Sequence, residues 1–452
     1  MNILLILVDS LRPDHLSING YNRETSPNID KFCKDGTRFL NDYCTQTRTY
    51  PSIASILTGM YPHSHGIRMV ANNNENLSLS TLPEILGSHG YKTAFMGVGE
   101  YPLIIKKGFQ EFNPTSWRLK NRLKREIYKI FHPQNFLSII DQYTDTAINW
   151  IGKNSNNKFF FILHVHDIHW PYEIPKPYDH IFDKDYKGNH DFNTLFNGRI
   201  TRGELIFGKK KLPPEELKHA IAHYDGGVRL IDEHLGRLFD FLKKKNLYDD
   251  TLIILTSDHG ESLGEKGLYF QHGSSLYESS LKSTLVMRYP KLIPKGKAIS
   301  SRIQNTDIMP TVLEMMNISL LDKIDGVSLM PLILGKAEKT RDYIFAESAE
   351  GHFKENEKIF ISGVKGKWRA MIIDDWKIIY IPHPEKEIFE LYNLKNDPKE
   401  ENNLVDKEEK TASAMKKKLF DFLKGQSNEG EVDLEDLTEK SKKWLRKVGY
   451  ID

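Results

Sequence analysis

Cysteine is almost missing from this chain: Cys33 and Cys44 are the only two in 452 residues. Two thiols build neither a disulfide framework nor a zinc cluster. They fit a reducing compartment, so a cytoplasmic protein is expected. A dominant charge is missing too, with 63 Lys and Arg against 61 Asp and Glu and a net charge of +2. Neither a nucleic-acid nor a membrane-surface partner follows from that balance. No apolar run approaches the ~18 residues a membrane span needs. The apolar start, Met1 to Val8, has no basic leader and is closed by Asp9, so it reads as a first strand and not as a signal sequence.

What is present is the composition of a soluble globular protein, 39% hydrophobic and 27% charged. The length exceeds one ordinary core and predicts two units, a catalytic domain over 1–340 and a C-terminal subdomain over 341–452. The continuous apolar runs 3–8, 159–165 and 252–256 read as buried parallel strands. Helical patterns lie between them at 83–89, 142–151 and 217–245, the last with a stripe of Ile221, Val228, Leu230, Ile231, Leu235 and Leu238. Strands alternating with helices predict an α/β domain with a central, mostly parallel sheet flanked by helices. After residue 340 the short β-rich runs 368–373 and 376–381, then 390–393, predict a small antiparallel sheet. A Lys/Glu-rich amphipathic helix follows from Lys407, and then an acidic loop. Residues 180–215 lack a period and read as a surface excursion. The aromatics Tyr178, Phe182, Tyr186, Phe192 and Phe196 either pack it or stack on a ligand.

Chemistry-bearing residues fall at the predicted carboxyl ends of strands, where open α/β sheets bind ligands. Asp9 closes the first run, His166 to His169 follow the run at 159–165, and Asp258 and His259 follow the run at 252–256. Thr49 opens Thr49-Tyr50-Pro51-Ser52 ahead of a small-residue helical stretch, with Pro51 and Ser52 suited to its first turn and Ser52 as a cap. The hydroxyl is thereby expected at a helix N-terminus, which attracts anions. Asp9, Thr49, Asp258 and His259 would make a four-ligand site for one divalent cation. Mixed oxygen and nitrogen donors favour Mn²⁺ or Zn²⁺, with Ca²⁺ or Mg²⁺ as alternatives. A threonine hydroxyl is a weak nucleophile near neutrality and needs such activation.

Val8-Asp9-Ser10-Leu11-Arg12-Pro13, Pro51-Ser52 with Leu57-Thr58-Gly59-Met60-Tyr61-Pro62, and Thr256-Ser257-Asp258-His259-Gly260-Glu261 resemble the sulfatase family of the alkaline phosphatase superfamily. His166-Asp167-Ile168-His169-Trp170-Pro171-Tyr172, His272-Gly273-Ser274-Ser275, Asp325-Gly326-Val327 and Glu390-Leu391-Tyr392-Asn393 extend the likeness, in order, to about residue 404. The resemblance implies metal-ligand positions for Asp9, Asp258 and His259, and the nucleophile position for Thr49. It implies that His169 and His272 contact the transferred group or protonate the leaving oxygen. It also carries departures. Sulfatases have a Cys or Ser that becomes formylglycine, with an Arg four residues on; here Thr49 and Ile53 stand there. Cys44 lies too early in the chain to serve. Ser10 replaces a second carboxylate, and Gly97-Val98-Gly99-Glu100 replaces Gly-Lys-Trp-His.

The expectation is therefore a metal-dependent hydrolase or transferase cleaving a phosphate mono- or diester through Thr49. Its substrate is a small anionic ester or a phosphorylated or sulfated saccharide. Alternatives are a sulfuric ester hydrolase, a two-metal enzyme with a second site at Asp167, His169 and His272, and a degenerate anion- or glycan-binding member.

Overall fold

The first strand, β1 (Asn2–Val8), is buried at every position, because it runs mid-sheet with helices on both faces. The computed structural model describes residues 1–68, 75–112, 138–170, 172, 174–187, 205, 210–319, 323–349, 367–381 and 388–424. Strands are numbered along the chain: β2 (Thr37–Tyr43), β3 (Lys92–Met96), β4 (Glu111–Phe112), β5 (Phe159–Val165), β6 (Thr251–Ser257), β7 (Ser262–Leu263), β8 (Tyr269–Gln271), β9 (Lys282–Arg288) and β10 (Lys297–Gln304). Eight of them form one sheet in the order β10-β2-β9-β6-β1-β5-β3-β4, and β7 and β8 make a separate two-stranded ribbon. Within the large sheet only β9 runs against its neighbours.

Alternation along the strands divides the core in two. Leu4, Ile6, Val8, Phe161 and Leu163 pack with Tyr143, Ala147, Val228 and Leu235 of the helices Ile139–Lys153 and Pro214–Lys244. Ile3, Leu5, Leu7, Phe160, Ile162 and Ile254 face the other way, toward Ile53, Ile56, Leu57 and Val312 of the helices Thr49–Thr58 and Ile308–Met315. Leu7 pairs with His164 on β5 and with Thr256 on β6. Two residues on, the period of two sends Asp9, His166 and Asp258 from adjacent strands toward that second face. The register of three central strands thus builds the polar cluster.

Two helices run longer than their sequence patterns, Ile139–Lys153 and Pro214–Lys244, and Leu82–Ser88 starts one residue earlier than its pattern. Their first turns hold Pro or polar capping residues, which the apolar periodicity does not see. Thr81 closes a capping box with Glu84, and Ser138 accepts from Asp141 N–H. In the 180–215 stretch, Tyr186 stacks on His219 at 3.6 Å and Arg23 lies over Phe182 at 5.8 Å. Tyr178 donates to Glu233. Tyr178 and Tyr186 therefore pack against the long helix and Phe182 against Arg23; Phe192 and Phe196 lie outside the described residues.

The second sheet is antiparallel and sequential, β11 (Ile344–Glu347), β12 (Arg369–Ile373), β13 (Trp376–Ile381) and β14 (Ile388–Asn393). One face packs on Tyr43, Leu276, Tyr277 and Leu281 of the large unit. The other takes Ala412, Met415 and Leu419 of the helix Glu409–Lys424. The acidic stretch beyond residue 424 lies outside the described residues. Among the described residues no helix is long and apolar enough to cross a membrane.

Candidate metal centre and active site

Thr49 is the first residue of its helix, and Arg48 precedes it in extended conformation with no side-chain cap. Ser52 does not cap, contrary to its sequence pattern. Its hydroxyl donates to the Asp258 carbonyl at 2.6 Å and accepts from Asn305 Nδ2 at 2.8 Å, pinning the helix head to the exit of β6. Every residue from Tyr50 to Thr58 is buried, so packing offsets the weak helix propensity of its isoleucines and threonines. Thr49 Oγ1 stands 3.3 Å from Asp9 Oδ2 and 3.4 Å from His259 Nε2.

Each of those partners is itself oriented. His259 Nδ1 lies 2.8 Å from the Gly260 carbonyl, which can only accept, so Nδ1 carries the proton and Nε2 presents its lone pair. Asp258 Oδ1 accepts from the backbone N–H of Ser10 (3.1 Å) and of His259 (2.9 Å), while Oδ2 is buried with no hydrogen-bond partner. Asp9 Oδ1 accepts the Ser10 hydroxyl at 2.9 Å. Ser10, at φ 62°, holds the left-handed backbone that aims its N–H and hydroxyl at the two carboxylates. Gly260 is needed because a Cβ there would meet the Ser279 carbonyl at 2.2 Å.

Asp9, Asp258 and His259 bring three donor atoms within 4.8 Å of one another. His259 Nε2 lies 3.8 Å from Asp9 Oδ1 and 3.5 Å from Asp258 Oδ2, beyond hydrogen-bond range. Donors at ~2 Å from a shared cation sit ~3–4 Å apart. An orphaned buried carboxylate oxygen, a bare imidazole nitrogen and that spacing fit a divalent cation.

His272 stacks on His259 with ring centroids 4.2 Å apart, and His169 meets His272 edge-on at 5.1 Å. All six residues singled out in the sequence therefore meet in one cluster. His272 Nδ1 lies 3.3 Å from Glu261 Oε2, and His169 Nδ1 lies 2.5 Å from the Trp170 carbonyl. The suggested triad of Asp167, His169 and His272 does not assemble. Asp167 Oδ1 instead accepts the Ile140 N–H at the start of the helix Ile139–Lys153, and the donor groups of three found among the described residues do not include that triad.

Burial sets the protonation states. It pushes Asp258 well above the usual carboxylate range, and the nearby Asp9 charge adds to this. Burial also raises Asp9, but the imidazoles of His169, His259, His166 and His164 outweigh it and hold Asp9 well below that range. Two facing carboxylates driven apart in this way share one charge until a cation neutralises both. Burial lowers His259, brings His166 to about 4, and takes His164 and His272 well below the ordinary value. These four rings are neutral at pH 7, the form that ligates or accepts a proton.

Four neighbours had no assigned role in the sequence, though His166 was noted at the end of the 159–165 run. His164 in β5 and His166 just past its end stand beside Asp9, with Nε2 atoms 3.9 and 3.6 Å from Asp9 Oδ2. Their i, i+2 spacing at the end of an apolar strand was the readable signal. Glu261 orients His272 from inside a motif already noted. Arg48 crosses Gly273, where a Cβ would meet its Nε at 2.4 Å. Its charge contributes, after burial, to lowering His259 and His272. Nothing in the sequence around Arg48 distinguishes it from a surface arginine.

Comparison with known proteins identifies the family. The sulfatase family model matches residues 1–318, and the model for the C-terminal part of N-sulphoglucosamine sulphohydrolase matches residues 264–427. The N-acetylglucosamine-6-O-sulfatase of Bacteroides thetaiotaomicron is 27% identical over 90% of this chain and 83% of its own length. An arylsulfatase of Clostridium perfringens is 27% identical over 96% of both chains. The crystal structure of a phosphonate monoester hydrolase of Agrobacterium radiobacter superposes with a TM-score of 0.74 at 20% identity, covering 94% of this chain and 96% of that one, which speaks to the fold alone. The chain belongs to the sulfatase family, the hydrolases of the alkaline phosphatase superfamily.

Proposed function

We propose that this protein hydrolyses sulfate or phosphate esters, with Thr49 Oγ1 as the attacking atom. The observation that carries this reading is the place of that oxygen: at the head of a helix, within 3.4 Å of both Asp9 and His259. Asp9, Asp258, His259 and Thr49 would hold one divalent cation. Its imidazole donor and two carboxylates favour Mn²⁺ or Zn²⁺ over Ca²⁺. When bound, such a cation lowers the hydroxyl pKa and offsets the charge of the ester.

The residues supply the rest. The Thr49 hydroxyl donates its hydrogen bond to Asp9 Oδ2, which orients the attacking oxygen. The positive end of the Thr49–Thr58 helix dipole lies beside the oxyanion that forms. With Nδ1–H directed at Glu261, His272 carries its lone pair on Nε2, so the ring is set to take a proton from water that releases the transferred group from Thr49. This differs from the leaving-group acid that the family resemblance suggests. The Arg48 guanidinium supplies positive charge beside these rings, where the family's Lys and Arg positions hold Val98 and Ile53.

The names of the curated relatives support a sulfate ester, and a saccharide carrying it. Residue 49 supports a phosphate ester: threonine's methyl blocks conversion to an aldehyde, and a phosphothreonine is released by water without one. Rates on 4-nitrophenyl sulfate, phosphate, phenyl phosphate diester and phenylphosphonate, measured side by side with Mn²⁺ or Zn²⁺, separate these readings. A sulfate-to-phosphate preference above about tenfold supports the first, its inverse the second. Turnover of none of them contradicts the catalytic reading.

A further inference from the structure

We infer that Asp9, His164 and His166 form a second cation site, for a transition-metal dication of the zinc type, sharing the Asp9 carboxylate with the first. The three residues bring donor atoms within 4.8 Å of one another. His164 is fully buried, and its Nδ1 is engaged by the Tyr101 hydroxyl at 2.8 Å. Its Nε2 has no hydrogen-bond partner and points at Asp9 Oδ2 from 3.9 Å. His166 Nε2 stands 3.6 Å from the same oxygen. Hydrogen bonding does not explain these distances, which exceed its range. A shared cation does, since donors at ~2 Å from a metal lie ~3–4 Å apart.

The donor chemistry narrows the ion. Two imidazoles and one carboxylate suit zinc and its neighbours, not the oxygen-seeking Ca²⁺ or Mg²⁺. Three protein ligands leave a fourth position open, the pattern of catalytic zinc. Asp9 can serve both sites because its oxygens divide: Oδ1 is the one nearest His259, at 3.8 Å, and Oδ2 the one facing His166 and His164. Thr49 Oγ1 lies 3.3 Å from Oδ2, between the two groups. A carboxylate-bridged pair of cations beside the attacking hydroxyl matches in-line displacement, in which one ion faces the entering oxygen and the other the leaving one.

The inference rests on the proposed first site only through Asp9, and metal content separates the two. The full chain is stripped with chelator, reloaded with Zn²⁺ and freed of excess ion by gel filtration, then assayed for zinc. Wild type is expected to retain two equivalents, His164→Gln with His166→Gln one, and Asp258→Asn with His259→Gln one. Should the first pair of substitutions unfold the chain, His166→Ala at the partly exposed ring is expected to weaken one zinc equivalent at least tenfold by competition with a chromogenic chelator. A wild-type chain holding one zinc, kept by H164Q/H166Q and lost by D258N/H259Q, overturns the second site and leaves the first. No bound zinc in wild type overturns both.

Discussion

At the scale of single residues, the site consists of side chains whose second polar atom is already committed. His259 gives Nδ1–H to a carbonyl, Asp258 spends Oδ1 on two backbone N–H groups, and His272 turns Nδ1 to Glu261. What remains of each points inward. Glu261 is fully buried and acts as a positioning residue for His272. Glu261→Gln keeps the shape and weakens that orientation. It is expected to lower kcat by about 10–100-fold with KM little changed. Steady-state kinetics on the preferred ester checks this, and an unchanged kcat removes Glu261 from the mechanism. The sequence showed Asp9, Thr49, Asp258 and His259 because each interrupts an apolar or small-residue run at an element's end. It concealed Glu261 and Arg48, whose roles depend on contacts with residues 11 and more than 200 positions away.

At the scale of elements, three central strands and one helix position the chemistry. Registers of Leu7 against His164 and Thr256 set Asp9, His166 and Asp258 side by side, and Ser52 and Asn305 clamp the helix head over them. The central strands were readable as unbroken apolar runs. The edge strands β4, β7 and β8 were not, since two or three residues carry no period. The small sheet is fastened differently. Arg68 forms a two-pronged ion pair with Glu347 of β11 at 2.8 and 2.6 Å, both buried. Burial pushes Glu347 up, but Arg68 outweighs it and brings the carboxyl to about 2. Because the folded value lies below the unfolded ~4.3, this contribution is full above that pH and fades as pH falls toward 2. Arg68→Met leaves the carboxylate buried without its main partner. It is expected to cost about 3 kcal/mol at pH 7, nearer the lower end because Arg369 and Lys367 lie close by. The deficit should shrink at pH 3, where the stranded carboxyl is protonated. Urea unfolding at the two pH values measures it, and equal stability of both chains at pH 7 contradicts the assignment.

At the scale of the whole molecule, the second sheet stands against the region that carries the site. The Gln46 bridge to Glu347 and the buried Lys377, paired to Glu278 at 2.9 Å and Glu400 at 2.8 Å, join the small sheet to the segments flanking Thr49 and β9. Composition and strand–helix alternation made the two-sheet architecture legible. The family resemblance ordered the motifs, while His164 and His166 needed three-dimensional register to acquire meaning. All of this converges on one hydroxyl, and the most direct test compares turnover by wild type and Thr49→Ala, both metal-loaded and both folded by circular dichroism. A loss of at least about 10³-fold in kcat/KM, with Thr49→Ser retaining measurable activity, is the predicted result. Turnover by Thr49→Ala within tenfold of wild type would contradict the account.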